Sequence, residues 1–260
     1  MKNIKLIIAY EGTKYCGWQT QKNGIGIQEV ISDAIQKLTN EKVCLNASGR
    51  TDAGVHAMGQ VANFTSNATI PPERFALALN SFLPEDISVI SSEEVANDFH
   101  ARYSARGKTY RYYIWNCSRK SAIVANITCY IPQMLDVSKM VEAAELFIGE
   151  HDFASYMAQG SSVKTTVREI FDATVTEVQN PFDLSDGKMI CFEITGSGFL
   201  YNMVRIISGT LVEVGQGKRS KEQIVHSLEK GERTLAGQTL PPEGLFLCKV
   251  NYEKRGIENV

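Results

Sequence analysis

The chain has 260 residues, 43% of them hydrophobic, with 20 glycines and 7 prolines, which suits a globular protein of one large or two small domains and excludes fibrous and disordered classes. A formal net charge of −2 excludes a uniformly basic nucleic-acid binder. Six cysteines form no Cys-x-x-Cys pair and gather no histidines, so they read as reduced thiols of a cytoplasmic protein and offer no zinc-ligand spacing.

In chain order, the apolar run Ile4 to Tyr10 is predicted to be a strand; it ends at Glu11, too soon for a signal-peptide core or a membrane span. A helix over Ile27 to Leu38 follows, then strands at Val43 to Ala47 and Val61 to Phe64, a helix at Pro72 to Phe82 and a strand at Ile87 to Ser91. This β-α-β-β-α-β order recurs after Tyr103: strand Thr109 to Trp115, helix Val137 to Ile148, strands Glu169 to Val178 and Met189 to Thr195, helix Phe199 to Val214, and strand Leu245 to Asn251, preceded by an extra helix at Lys221 to Glu229. The expectation is an α+β fold of two ferredoxin-like βαββαβ subdomains with antiparallel sheets, residues 1–104 and 105–260, with a catalytic cleft between them.

Between the second and third strands lies Ser48-Gly49-Arg50-Thr51-Asp52-Ala53-Gly54-Val55-His56-Ala57. Glycine on both sides lets the chain aim one carboxylate, Asp52, away from its own strand and into a cleft, although most loop aspartates only cap a turn. His56 follows closely, but no third ligand or serine nucleophile accompanies it, so it reads as a residue of loop structure.

The net charge conceals an asymmetry. From Phe99 to Lys120 the chain carries Arg102, Arg106, Lys108, Arg111, Arg119 and Lys120 with no acid, interleaved with Tyr103, Tyr110, Tyr112, Tyr113 and Trp115. Cations for phosphates beside aromatics for bases suit an RNA surface, and equally a solvated strand face beside core aromatics. Further on, Arg205 interrupts a helix that is apolar nearly all round, on a stripe with Gly198, Asn202 and Gly209. A buried guanidinium needs an acid, and none lies within a turn of it; Asp52 and Glu193 are the candidates, unless the side chain snorkels to solvent.

These motifs together resemble the tRNA pseudouridine synthase A family. The likeness runs through Tyr15-Cys16-Gly17-Trp18-Gln19, the Asp52 loop, Gly59-Gln60-Val61-Ala62-Asn63-Phe64, Phe99-His100-Ala101-Arg102, Lys108-Thr109-Tyr110-Arg111-Tyr112, His151-Asp152-Phe153, Gly198-Phe199-Leu200-Tyr201-Asn202-Met203-Val204-Arg205 and Pro242-Glu243-Gly244-Leu245. Ser197 and Tyr156 depart from the family's usual asparagine and phenylalanine, away from the catalytic positions.

The resemblance implies the pseudouridine synthase fold, a homodimer that binds tRNA, and conversion of uridine to pseudouridine on the 3′ side of the anticodon stem-loop without metal or organic cofactor. It implies Asp52 as the essential carboxylate and Tyr110 stacking on the flipped uracil; Arg205, from its burial, is expected to orient that carboxylate. Arg50 would hold a phosphate, fill the space the base leaves, or brace the loop; Leu245 would wall the uracil pocket or sit in the core. Two rivals stand beside this reading: a non-catalytic tandem RNA-binding module, which needs no carboxylate, and a metal-dependent hydrolase centred on Asp52 and His56.

Overall fold

The computed structural model describes residues 1–20, 24–160, 163–179 and 187–253. The chain divides into two compact units, Met1–Lys108 with Phe246–Val260, and Thr109–Leu245.

In the first unit, β1 (Lys2–Tyr10), β2 (Asn46–Ala47), β3 (His56–Ser66) and β4 (Ile87–Val95) alternate with α1 (Ile27–Thr39) and α2 (Phe75–Asn80), the latter entered through a 3₁₀ turn at Pro72–Arg74. β1 lies between β4 and β3 and is antiparallel to both, while β2 pairs with β3 through Asn46 to Asn63 and Ala47 to Ala62. Strict alternation buries Ile4, Leu6, Ile8 and Tyr10 on one face of β1. Ile27, Ile31, Ala34 and Ile35 recur at helical spacing and bury one stripe of α1, and Phe75 of α2 meets Phe64 of β3 edge-on with ring centroids 5.7 Å apart. Burying each large apolar side chain stabilises the unit by about 1.5–3 kcal/mol, and truncating Phe64 to alanine would cost about 3–5 kcal/mol.

The predicted strand at Val43 to Ala47 is only the short β2, whereas β3 starts at His56 and runs straight through Gly59 and Gln60. Among the residues of β3, only Met58 and Thr65 are exposed, so it is buried on both faces and its period of two is hidden in the sequence.

The second unit contains β5 (Gly107–Asn116, from Thr109 onward), β6 (Cys129–Ile131), α3 (Val137–Ala144), β7 (Gly149–Asp152), β8 (Val167–Val178), β9 (Lys188–Gly196), α4 (Met203–Gly215) and α5 (Lys221–Lys230). Its strands follow the order β5-β9-β8-β7, with β6 parallel to the end of β5. Asp136 caps α3 by accepting from the Lys139 N–H, and Ser220 with Gln223 forms a capping box at α5, whose C-terminus stops at Gly231 with φ 70°. α4 buries nearly every residue, as its uniform apolarity requires.

Two differences from the expected element order stand out. Neither β6 nor β7 was legible, being three and four residues long. The last strand, β10 (Leu245–Asn251), enters the first unit after Leu245 and pairs in parallel with the start of β3, Phe246 opposite His56 and Leu247 opposite Ala57. The expected division at 104/105 therefore differs from the compact units, because a parallel pairing closes across nearly the whole chain and leaves no local trace.

Candidate active site

Asp52 lies in the connection between β2 and β3 and is half-buried. Its carbonyl accepts the Val55 N–H at 3.1 Å, and Gly54 takes φ 76°, so residues 52–55 form a turn that needs glycine at its third position. Gly49 does not adopt the left-handed conformation, so only one of the two flanking glycines acts through its backbone angles.

The turn is held from several sides. Trp18 N–H donates to the Thr51 carbonyl at 3.1 Å, and Gly54 N–H donates to the Tyr15 carbonyl at 3.3 Å. Gly17 has φ 97°, and a Cβ there would lie 2.9 Å from the carbonyl carbon of Asp52, so the Tyr15–Gln19 motif packs backbone against backbone on the turn. Thr51 Oγ1 and the Tyr10 hydroxyl share a buried hydrogen bond of 2.7 Å, and burial pushes the Tyr10 phenol well above its ordinary range, keeping it protonated. On the incoming arm, buried Gln60 accepts from Ser48 Oγ at 2.6 Å and donates to the Gly49 carbonyl at 3.0 Å.

His56 is fully buried inside β3, not in the loop, and its ring stacks on Phe246 with centroids 4.6 Å apart. The Gly12 N–H donates to its Nδ1 at 2.9 Å, so that nitrogen carries no proton and the 3.6 Å approach of Glu11 Oε1 is no ion pair. The Glu11 carboxylate instead accepts from the N–H and hydroxyl of Thr13. Arg50 is exposed and makes no hydrogen bond or ion pair among the described residues.

In the second unit, Tyr110 is buried on β5 with Tyr112 and Ile114 on the same face, and its ring meets Phe199 edge-on at 5.0 Å. Arg205 sits in the first turn of α4, whose cap residue Asn202 has φ 60°. Its Nε donates to the Leu240 carbonyl at 2.7 Å and a terminal nitrogen donates to Asn202 Oδ1 at 2.9 Å. The helix therefore starts at Met203 rather than Phe199, and Gly198 is not on its stripe. Glu193, a candidate partner for Arg205, accepts from Arg111 Nε at 2.5 Å, which raises the guanidinium above its ordinary range. Leu245 is buried at the start of β10.

Asp52 and Arg50 thus lie in the first unit, and Tyr110, Arg205 and Leu245 in the second. Among the described residues no group of three or more His, Cys, Asp or Glu side chains is arranged to hold a metal ion, and no helix is long and apolar enough to cross a membrane. The residues missed from sequence are the supports of the turn: Tyr10, Gly12, Thr51 and Gln60. Their only signal was that several fall within or beside the motifs quoted for the family resemblance.

Comparison with known proteins gives a consistent result. The family described as tRNA pseudouridine synthase matches residues 6–104 and 143–253. A protein called tRNA pseudouridine synthase A from Acetivibrio thermocellus is 50% identical over 252 residues, covering 97% of this chain and all of its own length. Proteins of the same name from Ruminiclostridium cellulolyticum and Caldicellulosiruptor saccharolyticus are 47% and 49% identical over 252 residues, again 97% of this chain and 100% of theirs.

Proposed function

The chain belongs to the tRNA pseudouridine synthase family and is an isomerase, and from that membership we propose that it converts uridine to pseudouridine on the 3′ side of the tRNA anticodon stem-loop with Asp52 as its essential carboxylate. The proposal includes the pseudouridine synthase fold of two ferredoxin-like subdomains with the catalytic cleft between them, and a homodimer acting in the cytoplasm on tRNA.

The reaction breaks the bond from uracil N1 to ribose C1′, turns the base, and joins C5 to C1′; the C5 hydrogen leaves and N1 gains a proton. Positive character develops on the sugar as the first bond breaks, so an ionised carboxylate beside C1′ and C2′ is the useful group. Asp52 fills that role on a turn whose backbone is fixed by Tyr15, Trp18 and Gly17. This fixed presentation of a half-buried carboxylate is the observation that carries the reading, because a loop that only bound RNA would gain nothing from it.

The target base must first leave its stack, at a cost of a few kcal/mol that protein contacts offset. In this reading Tyr110 stacks on the extruded uracil, Leu245 walls its pocket, Arg50 holds a phosphate or takes the space the base vacates, and Arg205 orients Asp52. Pairing with a guanidinium would keep the carboxylate ionised.

The decisive experiment is tritium release from tRNA labelled at uridine C5. Asp52→Asn is expected to bind tRNA normally and lose turnover by at least about 10³-fold. Unchanged release from this variant would remove Asp52 from the chemistry; release that persists while pseudouridine appears outside the anticodon arm would reassign the substrate position.

A further inference from the structure

Beside the Asp52 turn stands a cation that the chemistry above does not use. Lys108, at the start of β5 and within the first unit, is half-buried, and a Cβ placed on Gly49 would lie 2.5 Å from its Nζ. Its ammonium therefore rests against the backbone of the segment that leads into Arg50, Thr51 and Asp52. It makes no hydrogen bond or ion pair among the described residues. Lys5, Lys188 and Arg219, also half-covered, meet acids in Glu93, Glu177 and Glu213, and Arg168 and Arg233 donate to carbonyl oxygens.

A neighbouring like charge makes the arrangement costlier. Arg102 acts on it with a like charge, and Arg50 on the loop and Arg106 near the start of the strand are exposed cations. Asp52, on the loop, is the nearby acid in sequence, and it forms no ion pair with Lys108. Arg102 itself is held by a rigid turn. His100 Nδ1 accepts the Arg102 N–H at 3.1 Å, Ala101 N–H donates to buried Asn63 at 2.9 Å, and Tyr252 donates to the Ala101 carbonyl at 2.8 Å. The Arg102 guanidinium lies over the exposed Tyr103 ring, 5.7 Å from its centroid.

A half-buried ammonium without an acid and beside a like charge is costly to keep protonated, and an anion bound between the two cations would remove that cost. Building on the tRNA-isomerising reading, we propose that Lys108, with Arg102 beside it, is the seat for a backbone phosphate of the RNA strand next to the nucleotide acted on at Asp52. Burial, and then the Arg102 charge, lower the Lys108 ammonium to about 8, so part of its charge is lost just above neutrality unless a phosphate restores it.

The sign follows directly. The protonated ammonium holds the phosphate, so RNA affinity is full below the free-protein value and falls as pH rises through it. The test is the dissociation constant of fluorescently labelled tRNA between pH 6.5 and 9 for the wild type, Lys108→Met and Lys108→Arg, at several salt concentrations. Wild type should weaken several-fold toward pH 9, whereas Lys108→Arg should bind comparably at neutral pH and stay level. Lys108→Met should bind about tenfold more weakly than wild type at pH 6.5, with the gap narrowing toward pH 9 and a log–log salt slope smaller by about 1.

Equal affinity, salt slope and pH response in wild type and Lys108→Met would overturn the proposal. If that variant does not fold, Lys108→Arg decides alone: a wild-type alkaline loss in it overturns the seat. Inorganic phosphate at matched ionic strength should compete with tRNA better than chloride on wild type and lose that advantage on Lys108→Met; phosphate binding that leaves tRNA affinity unchanged would mean a free-phosphate site and would overturn the RNA assignment. Wild-type protein that binds tRNA without releasing C5 tritium overturns the functional reading, while the binding comparison still decides the role of Lys108.

Discussion

The Gly12 N–H donates to Nδ1 of His56 at 2.9 Å, joining the segment that follows β1 to the residue that opens β3, just beyond the Asp52 turn. The same ring stacks on Phe246 of β10, so two strands and the segment after β1 meet on one imidazole. Two substitutions separate its tasks. His56→Asn keeps an acceptor near the Nδ1 position and loses the stack; His56→Phe keeps the stack and strands the Gly12 N–H. We expect the phenylalanine variant to lose about 1–3 kcal/mol in urea unfolding and more of its turnover, since the unpaired amide borders the turn that carries Asp52. Equal turnover in the two variants would mean that the hydrogen bond does not position Asp52.

Thr51 and Tyr10 supply a second support. Thr51→Val and Tyr10→Phe each remove one side of a buried 2.7 Å hydrogen bond and should cost about 1–3 kcal/mol singly. The double variant should cost less than the sum, with a coupling of about 0.5–3 kcal/mol in chemical denaturation. Additive losses would show that the two hydroxyls stabilise the protein independently.

Asp86 anchors the strand of residues that runs beneath the turn, accepting from the Tyr15 hydroxyl at 2.6 Å and from Lys14 at 3.0 Å. Burial alone would raise its carboxyl, but the hydrogen bonds from Tyr15 and Lys14 outweigh it and hold the group below the usual carboxylate range. A depressed folded-state value stabilises above the unfolded value of about 3.9, and that contribution disappears as pH falls further. Lys14 is 75% exposed, so its ion pair is screened and the Tyr15 bond matters more. Urea midpoints from pH 7 to pH 3 should therefore show Asp86→Asn less stable than wild type at neutrality, with the gap closing in acid. A constant gap would assign the loss to packing alone.

Arg205 has a structural task and a proposed catalytic one. Lysine cannot reproduce its donation to both Leu240 and Asn202, so Arg205→Lys should lose about 1–3 kcal/mol of stability and at least about 10² in kcat. Asn202→Gly keeps the left-handed cap conformation and removes only the tether, so its kcat should fall far less. Equal rate losses in both variants would confine Arg205 to shaping the start of α4.

Much of the fold was legible because its signals are local. Ile4 to Tyr10 alternates, α1 repeats its isoleucines at helical spacing, and both strand–helix successions follow from such periods. The start of α4 was misread because Phe199 to Asn202 is as apolar as the helix it precedes, and only the left-handed angle at Asn202 separates them. β3 was read too short because residues on both of its faces are buried. At the candidate site, the motif Gly49-Arg50-Thr51-Asp52 was visible at once, yet most of its supports, Tyr10, Gly12 and Trp18, lie more than thirty residues away along the chain, and only Gln60 is close in sequence.

From its residues alone, this protein's α+β character, its element succession and the kinship carried by its ordered motifs were determined, since periodicity, turn residues and motif order are properties of neighbouring positions. Only the tertiary structure decided that His56 is a buried strand residue, that β10 pairs with the start of β3, and that Tyr15, Gly17 and Trp18 hold the backbone under Asp52. Those contacts join segments far apart in the chain, and their free energy exists only once the closure of long loops has brought them together.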